Sequence, residues 1–259
     1  MNPVLAIAGL VIKELQRRKD FYVLFVLTAL ITVVLGSADI FGLSKIARYL
    51  KDVCLLLIWV SSIVIAITTA ARQIPAEREN RTMFPLLAKP VTRGQVVAGK
   101  FLGCWLACGI ALFVFYLFFT LVSASREHVW HAGPTLKAMW MHWILLGVLV
   151  AMVLLGSVVF AAPSSNSTIC FIVIVGILGI GRHLHRVALD QPEPINTILS
   201  VIYFLIPHLE WFYLPDFLVN EQNIAPWTDC LVASLYGAAY AGMFLYATWL
   251  RFRRQMLSV

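Results

Sequence analysis

Six histidines, five cysteines and one dense run of acids and bases are the side chains of this 259-residue chain with chemistry to offer. Imidazoles on facing helices can hold haem iron or copper, and His128, His131, His142, His183, His185 and His208 are the candidates. Most of them fall between apolar runs, only His142 sits clearly inside one, and no carboxylate cluster accompanies them. That pattern favours interfacial histidines over ligands and predicts no metal site. Cys54, Cys104, Cys108, Cys170 and Cys230 all lie in apolar runs, without the paired, polar-flanked spacing of a zinc site or disulfide framework, and read as small core residues. The third group, Arg72 to Lys100, is the longest charged stretch in the chain. It contains no GxxxxGK[ST] run, nor does the rest of the chain. We expect no catalytic residue here; the chemistry on offer is that of contact.

The elements that must carry these groups are set by the solvent. The chain is 61% hydrophobic and 13% charged, with a mean hydropathy of +0.86, whereas a globular chain is roughly half apolar and a quarter charged. A bilayer core about 30 Å thick needs about 20 apolar residues per helix, which leaves room for six spans and no separate soluble domain. The reading is an all-α membrane protein forming a single domain over 1–259. Residues 3–19 are not a span, because Lys13, Glu14, Arg17 and Arg18 interrupt them, but Val4, Ile7, Val11 and Leu15 recur at helical spacing. This predicts an interfacial helix along the membrane surface with Lys13, Arg17 and Arg18 toward headgroups. Spans are expected at 21–36, 53–71, 97–122, 138–162, 168–181 and 228–250, with Pro163 to Ser167 a short loop and the first span an uncleaved anchor. The stretch 195–219 begins with an apolar run too short to cross and stopped by Pro207, so a re-entrant or interfacial segment is expected there.

Thirteen of the 20 lysines and arginines fall before the first span, in the 72–100 stretch and after the last span; the other seven fall on the opposite side. By the positive-inside bias both termini and the 72–100 loop are cytoplasmic. No charged residue lies deep in a span, which weighs against an ion-coupled carrier. Ser61, Ser62, Thr68 and Thr69 read as polar glue between helices in preference to a polar path. Trp59, Trp105, Trp140, Trp143 and Trp249 read as interface anchors or packing residues.

The 72–100 loop is long for a connection in a small membrane protein. A helix opening after Pro75 would carry Glu77, Glu79, Arg81 and Thr82 beside Met83, Phe84, Leu86 and Leu87, with Pro85 bending or ending it. Apolar anchors with alternating charges suit docking into a groove on a soluble protein. The run from Ala76 to Gly103 resembles the segment after the second span of ABC type-2 permeases, exporter-type membrane subunits that include the membrane partner of the nitrous-oxide-reductase maturation ATPase. Their pattern is an acid-rich stretch, a Gly-Thr pair, a Leu-Leu pair, Pro-Val-Ser/Thr-Arg, and Gly-Lys opening the next span. This chain matches at Glu77, Glu79, Thr82, Leu86, Leu87, Pro90, Val91, Thr92, Arg93, Gly99 and Lys100, and departs at Arg81, where glycine is usual, and at Pro85.

The resemblance implies a non-enzymatic permease subunit in the bacterial inner membrane, with an elbow helix at its start and the 72–100 loop as the coupling helix. Glu77, Glu79, Thr82, Leu86, Leu87, Pro90 and Arg93 would dock to an ABC ATPase that holds the ATP and magnesium, so this chain carries no cofactor of its own. Six spans make half a transporter, hence a second permease is implied, identical or not, and no nucleic acid. The transporter would be an exporter of an unidentified, hydrophobic substrate. Two rivals stay beside it: a membrane redox subunit holding haem through histidines, and an ion-coupled carrier or channel.

Overall fold

The computed structural model describes residues 2–17, 19–37, 43–79, 91–127, 130, 132–189, 192–212 and 226–254. Among these residues there are nine α-helices, one 3-10 turn and no strand. In chain order the helices are α1 (Pro3–Arg17), α2 (Lys19–Ser37), α3 (Leu43–Ala71), α4 (Pro75–Glu79), α5 (Arg93–Glu127), α6 (Ala132–Val159), α7 (Pro163–Leu189), α8 (Ile195–Leu205) and α9 (Trp227–Arg254), with the 3-10 turn at Leu209–Phe212 between the last two.

Four of the helical stretches described are long and apolar enough to cross a membrane: Arg48–Glu79, Arg93–Ser125, Ala132–Val159 and Trp227–Arg254. Phe21–Val34 and Pro163–Gly179 are apolar but shorter. The helices outrun the apolar segments expected from hydropathy. α3 begins at Leu43, ten residues before the apolar run, and α7 extends to Leu189, because polar residues at the end of a helix keep the same backbone hydrogen bonds. The expected loop Pro163 to Ser167 is instead the first turn of α7. Pro163 occupies the first helical position, where its missing N–H costs nothing, and the Asn166 amide bonds the Ala162 carbonyl at 3.1 Å.

α6 is the centre of the bundle. It is apolar on all sides, as a helix enclosed by others must be, and it contacts α3, α5, α7 and α9; Leu146, Leu149, Val150, Ala151, Val153 and Val158 are fully enclosed. Against α5 it forms a reciprocal clasp. Trp105 Nε1 donates to the Trp143 carbonyl at 3.0 Å and Trp143 Nε1 donates to the Trp105 carbonyl at 3.2 Å. Their indoles stack 4.6 Å apart. Each ring lies over a glycine four residues beyond the other tryptophan: a Cβ on Gly109 would meet Trp143 Nε1 at 2.5 Å and one on Gly147 would meet Trp105 Nε1 at 2.9 Å. Two sets of mid-helix polar groups pair across helices, which lipid favours. Ser61 faces Thr28 at 3.3 Å, and His142 is held between Ser62 at 2.8 Å and the Tyr116 hydroxyl at 3.3 Å. All five cysteines are buried and free.

α1 runs along the first turns of α5. Ile7, Ala8, Val11 and Leu15 are its buried face, and the register is set by two glycines four apart on α5. A Cβ on Gly99 would meet Ile7 Cβ at 2.8 Å, and one on Gly103 would meet Val11 Cβ at 2.7 Å. This is close approach through small residues at four-residue spacing. The apolar stripe expected on α1 therefore has α5 as its partner, while Leu5 and Leu10 remain exposed. Exposed apolar side chains otherwise line the outside of the bundle: Val23, Val26, Leu30 and Val33 on α2, and Leu106, Ile110, Phe113, Leu117 and Leu121 on α5. Such continuous apolar faces require lipid as solvent.

Candidate functional site

The ends of α3, α6 and α9 and the beginnings of α5 and α7 meet at one end of the bundle. α3 ends at Ala71, a tight turn follows in which the Gln73 amide bonds the Ala70 carbonyl at 3.2 Å, and Pro75 then opens α4. The charged stretch is rooted here by a buried cation. Lys100, 2% exposed, donates to the Gln73 carbonyl at 2.7 Å and to Glu77 Oε1 at 2.7 Å, and approaches Gln73 Oε1 at 3.4 Å. An ammonium taken out of water needs such partners.

The far root of the stretch is a helix cap. Thr92 and Gln95 form a capping box, the Thr92 amide donating to Gln95 Oε1 at 2.9 Å and the Gln95 amide donating to Thr92 Oγ1 at 3.3 Å, which satisfies two N–H groups that a helix start leaves open. Next to it, Arg93 reaches across to the last helix. Its guanidinium donates to the Phe252 carbonyl at 2.9 Å and the Arg253 carbonyl at 2.8 Å, and lies over the Phe252 ring at 5.7 Å. These are C-terminal carbonyls of α9, which have no partner within their own helix. Beneath, Ile74, Val97, Val158 and Phe252 form a small buried cluster joining the ends of four helical segments. Asn166, fully buried, adds a tie by donating to the Ala71 carbonyl at 3.4 Å and the Val153 carbonyl at 3.2 Å.

Of the residues expected to make an external contact, Glu77 has one oxygen on Lys100, and Arg93 donates to α9. Glu79 is exposed at the end of α4. Thr82, Leu86, Leu87 and Pro90 lie outside the described residues, as does most of the expected coupling helix. On α1, Lys13 and Arg17 are exposed, and Arg18 lies outside the described residues. Gln73 and Gln95 are not among the residues expected from sequence, and Lys100 is expected there only as part of a motif. The Thr92-x-x-Gln95 spacing is a recognisable cap signature, but nothing local joins Lys100 to a carboxylate 23 positions earlier.

Among the described residues no three His, Cys, Asp or Glu side chains gather in the manner of a metal site. His142 has both ring nitrogens within hydrogen-bonding distance of hydroxyls, and His208 has its amide and Nδ1 on the Tyr236 hydroxyl at 3.0 and 2.9 Å. The arrangement as a whole suits mechanical linkage of helix ends.

The profile of the ABC-2 family transporter proteins matches residues 53–257, which includes this end of the bundle and every helix from α4 onward. The chain therefore belongs to that family and is a permease subunit of an ABC transporter, a multi-pass membrane protein of a kind that works with ABC ATPase subunits. Comparison with curated proteins finds no match.

Proposed function

We propose that this chain is the membrane half of an ATP-driven exporter, crossing the cytoplasmic membrane six times with both termini inside, and that residues 78–91 are the piece its ATPase grips. The observation that carries this is the double rooting of the stretch. Lys100 holds Glu77 at one side, Thr92 and Arg93 fix the other, and both roots connect to helix ends. A displacement applied at either root would be passed to α3, α5 and α9. α4 and the residues following it would form the coupling helix, with Glu79, Thr82, Leu86, Leu87 and Pro90 meeting the ATPase. Glu77 and Arg93 hold the piece in place from within. α1 would be the elbow helix. ATP and magnesium would be bound by the ATPase, and a second permease would complete the channel. The Pro90-Val91-Thr92-Arg93 run supports placing the chain near the nitrous-oxide-reductase maturation branch, and the apolar interior supports a hydrophobic substrate.

The test is a tagged purification in mild detergent, with partners identified by mass spectrometry and ATPase activity measured. A Walker-motif ATPase should co-purify. Glu79→Lys should lower its capture or stimulation at least tenfold while the permease keeps its thermal midpoint, since Glu79 is exposed and reversal there leaves the Lys100–Glu77 pair intact. Absence of an ATPase from the wild-type preparation, or unchanged stimulation in the variant, rejects the proposal.

A further inference from the structure

At the junction of α1 and α2, the two helices and α5 enclose a groove of about 170 Å³ lined almost wholly by apolar side chains. Ala107 and Ala111 leave the space on the α5 side, Leu15 and Phe21 wall it, and Ile110 and Val114 continue it outward along α5. The volume is below the range of pockets that enclose drug-sized ligands, so it suits a single narrow chain. From Ala107 to Val114 the groove follows α5 for about 10 Å at 1.5 Å per residue. That interval lies within the exposed apolar stripe of α5, which begins at Leu106. The groove therefore lies beside the apolar, outward-facing stripe of α5.

Its polar lining is Gln16 and Tyr22, and exposed cations adjoin these residues along the chain. The Tyr22 hydroxyl donates to the Gln16 carbonyl at 3.3 Å, and a tyrosine with its ring exposed to lipid and its hydroxyl on a helix end marks the headgroup level. Lys13 and Arg17 follow groove residues Ile12 and Gln16 at the same four-residue spacing and are exposed, as is Lys19. Between positions 13 and 20 four cations, Lys13, Arg17, Arg18 and Lys19, stand against Glu14 and Asp20. Cations at this depth attract anionic headgroups, at about 1 kcal/mol per basic residue near the surface.

We propose that this groove is a binding site for one acyl chain of an anionic glycerophospholipid, with the headgroup phosphate against Lys13, Arg17 and Lys19. The site rests on α1 lying at the headgroup level and not on the grip of an ATPase. A lipid seated there would bridge α1, α2 and α5, filling the gap where the interfacial helix hands over to the first apolar helix.

The experiment is native mass spectrometry of the purified chain in mild detergent with dioleoyl phosphatidylglycerol and dioleoyl phosphatidylcholine at equal concentration. The wild type should retain the anionic lipid at least fivefold over the zwitterionic one. Val114→Trp, filling the groove from its rim, should lower that retention at least fivefold without changing the thermal midpoint or ATPase capture; if the midpoint falls, Ile110→Trp at the exposed edge is used in its place. Lys13→Gln, Arg17→Gln and Lys19→Gln together should bring the anionic lipid down to the zwitterionic level. Equal retention of the two lipids by the wild type, wild-type retention by the filled groove, or a preference that survives loss of the three cations overturns the proposal.

Discussion

The two ends of the bundle are held by different kinds of contact. At the charged end, Lys100 donates to a carbonyl in the turn after α3 and Arg93 to carbonyls at the C-terminal end of α9, and each joins elements far apart in the chain. At the opposite end, rings do the joining. Tyr203, His208, Trp211, Tyr236 and Tyr240 form a chain of ring contacts, Trp140 donates to Ser234 at 3.0 Å, and Lys137 lies over Trp227. A charge held by two or three oxygens has one good geometry and passes displacement on. Ring faces meet in many offset and tilted arrangements of similar energy, so that end tolerates sliding. The contrast places the rigid linkage at the end proposed above to meet an ATPase, and the compliant one opposite.

Substitutions at the two ends should separate accordingly. The largest effect is expected for Lys100→Met, which removes the buried cation bonded to Glu77; breaking a buried pair from one side costs about 3 kcal/mol. The thermal midpoint in detergent should fall clearly, and adding Glu77→Leu should recover part of the loss, a recovery that a purely steric defect would not show. Arg93→Ala should cost about 1 kcal/mol, the scale of a cation at a helix C-terminus, yet reduce ATPase coupling by more than that stability loss accounts for. Arg93→Lys should restore part of the coupling. The smallest effect is expected for Tyr236→Phe, which removes the hydroxyl shared by the His208 amide and ring, at about 1 kcal/mol or less, with coupling unchanged. If Tyr236→Phe uncouples as strongly as Arg93→Ala, the two ends are not mechanically distinct.

The apolar stretches of this fold are legible from hydropathy, because bilayer thickness dictates them. Their ends are not, since a helix extends through polar residues such as Ser44 or His183 without any change in backbone bonding. The buried stripe of α1 follows from the recurrence of Ile7, Val11 and Leu15, but its partner does not. The clue was the Gly99-x-x-x-Gly103 spacing, which reads as a family motif until its use as a close-approach surface is considered. Within the candidate site, the position of the stretch was readable and the division of labour was not. Glu77 and Glu79 look alike in a row of alternating charges, and only the fold turns one inward to Lys100 and leaves the other exposed. Arg93 looks like one more surface base, because its acceptors lie 159 and 160 positions away.

The clasped indoles of Trp105 and Trp143 also make the protein its own spectroscopic gauge. Two indoles stacked at 4.6 Å couple their electronic transitions, and a skew between their transition dipoles would add a paired band to the ultraviolet circular dichroism. If α5 and α6 travel as one body through the transport cycle, that band persists in every nucleotide state. If they part, it fades, and the protein reports the event without a label.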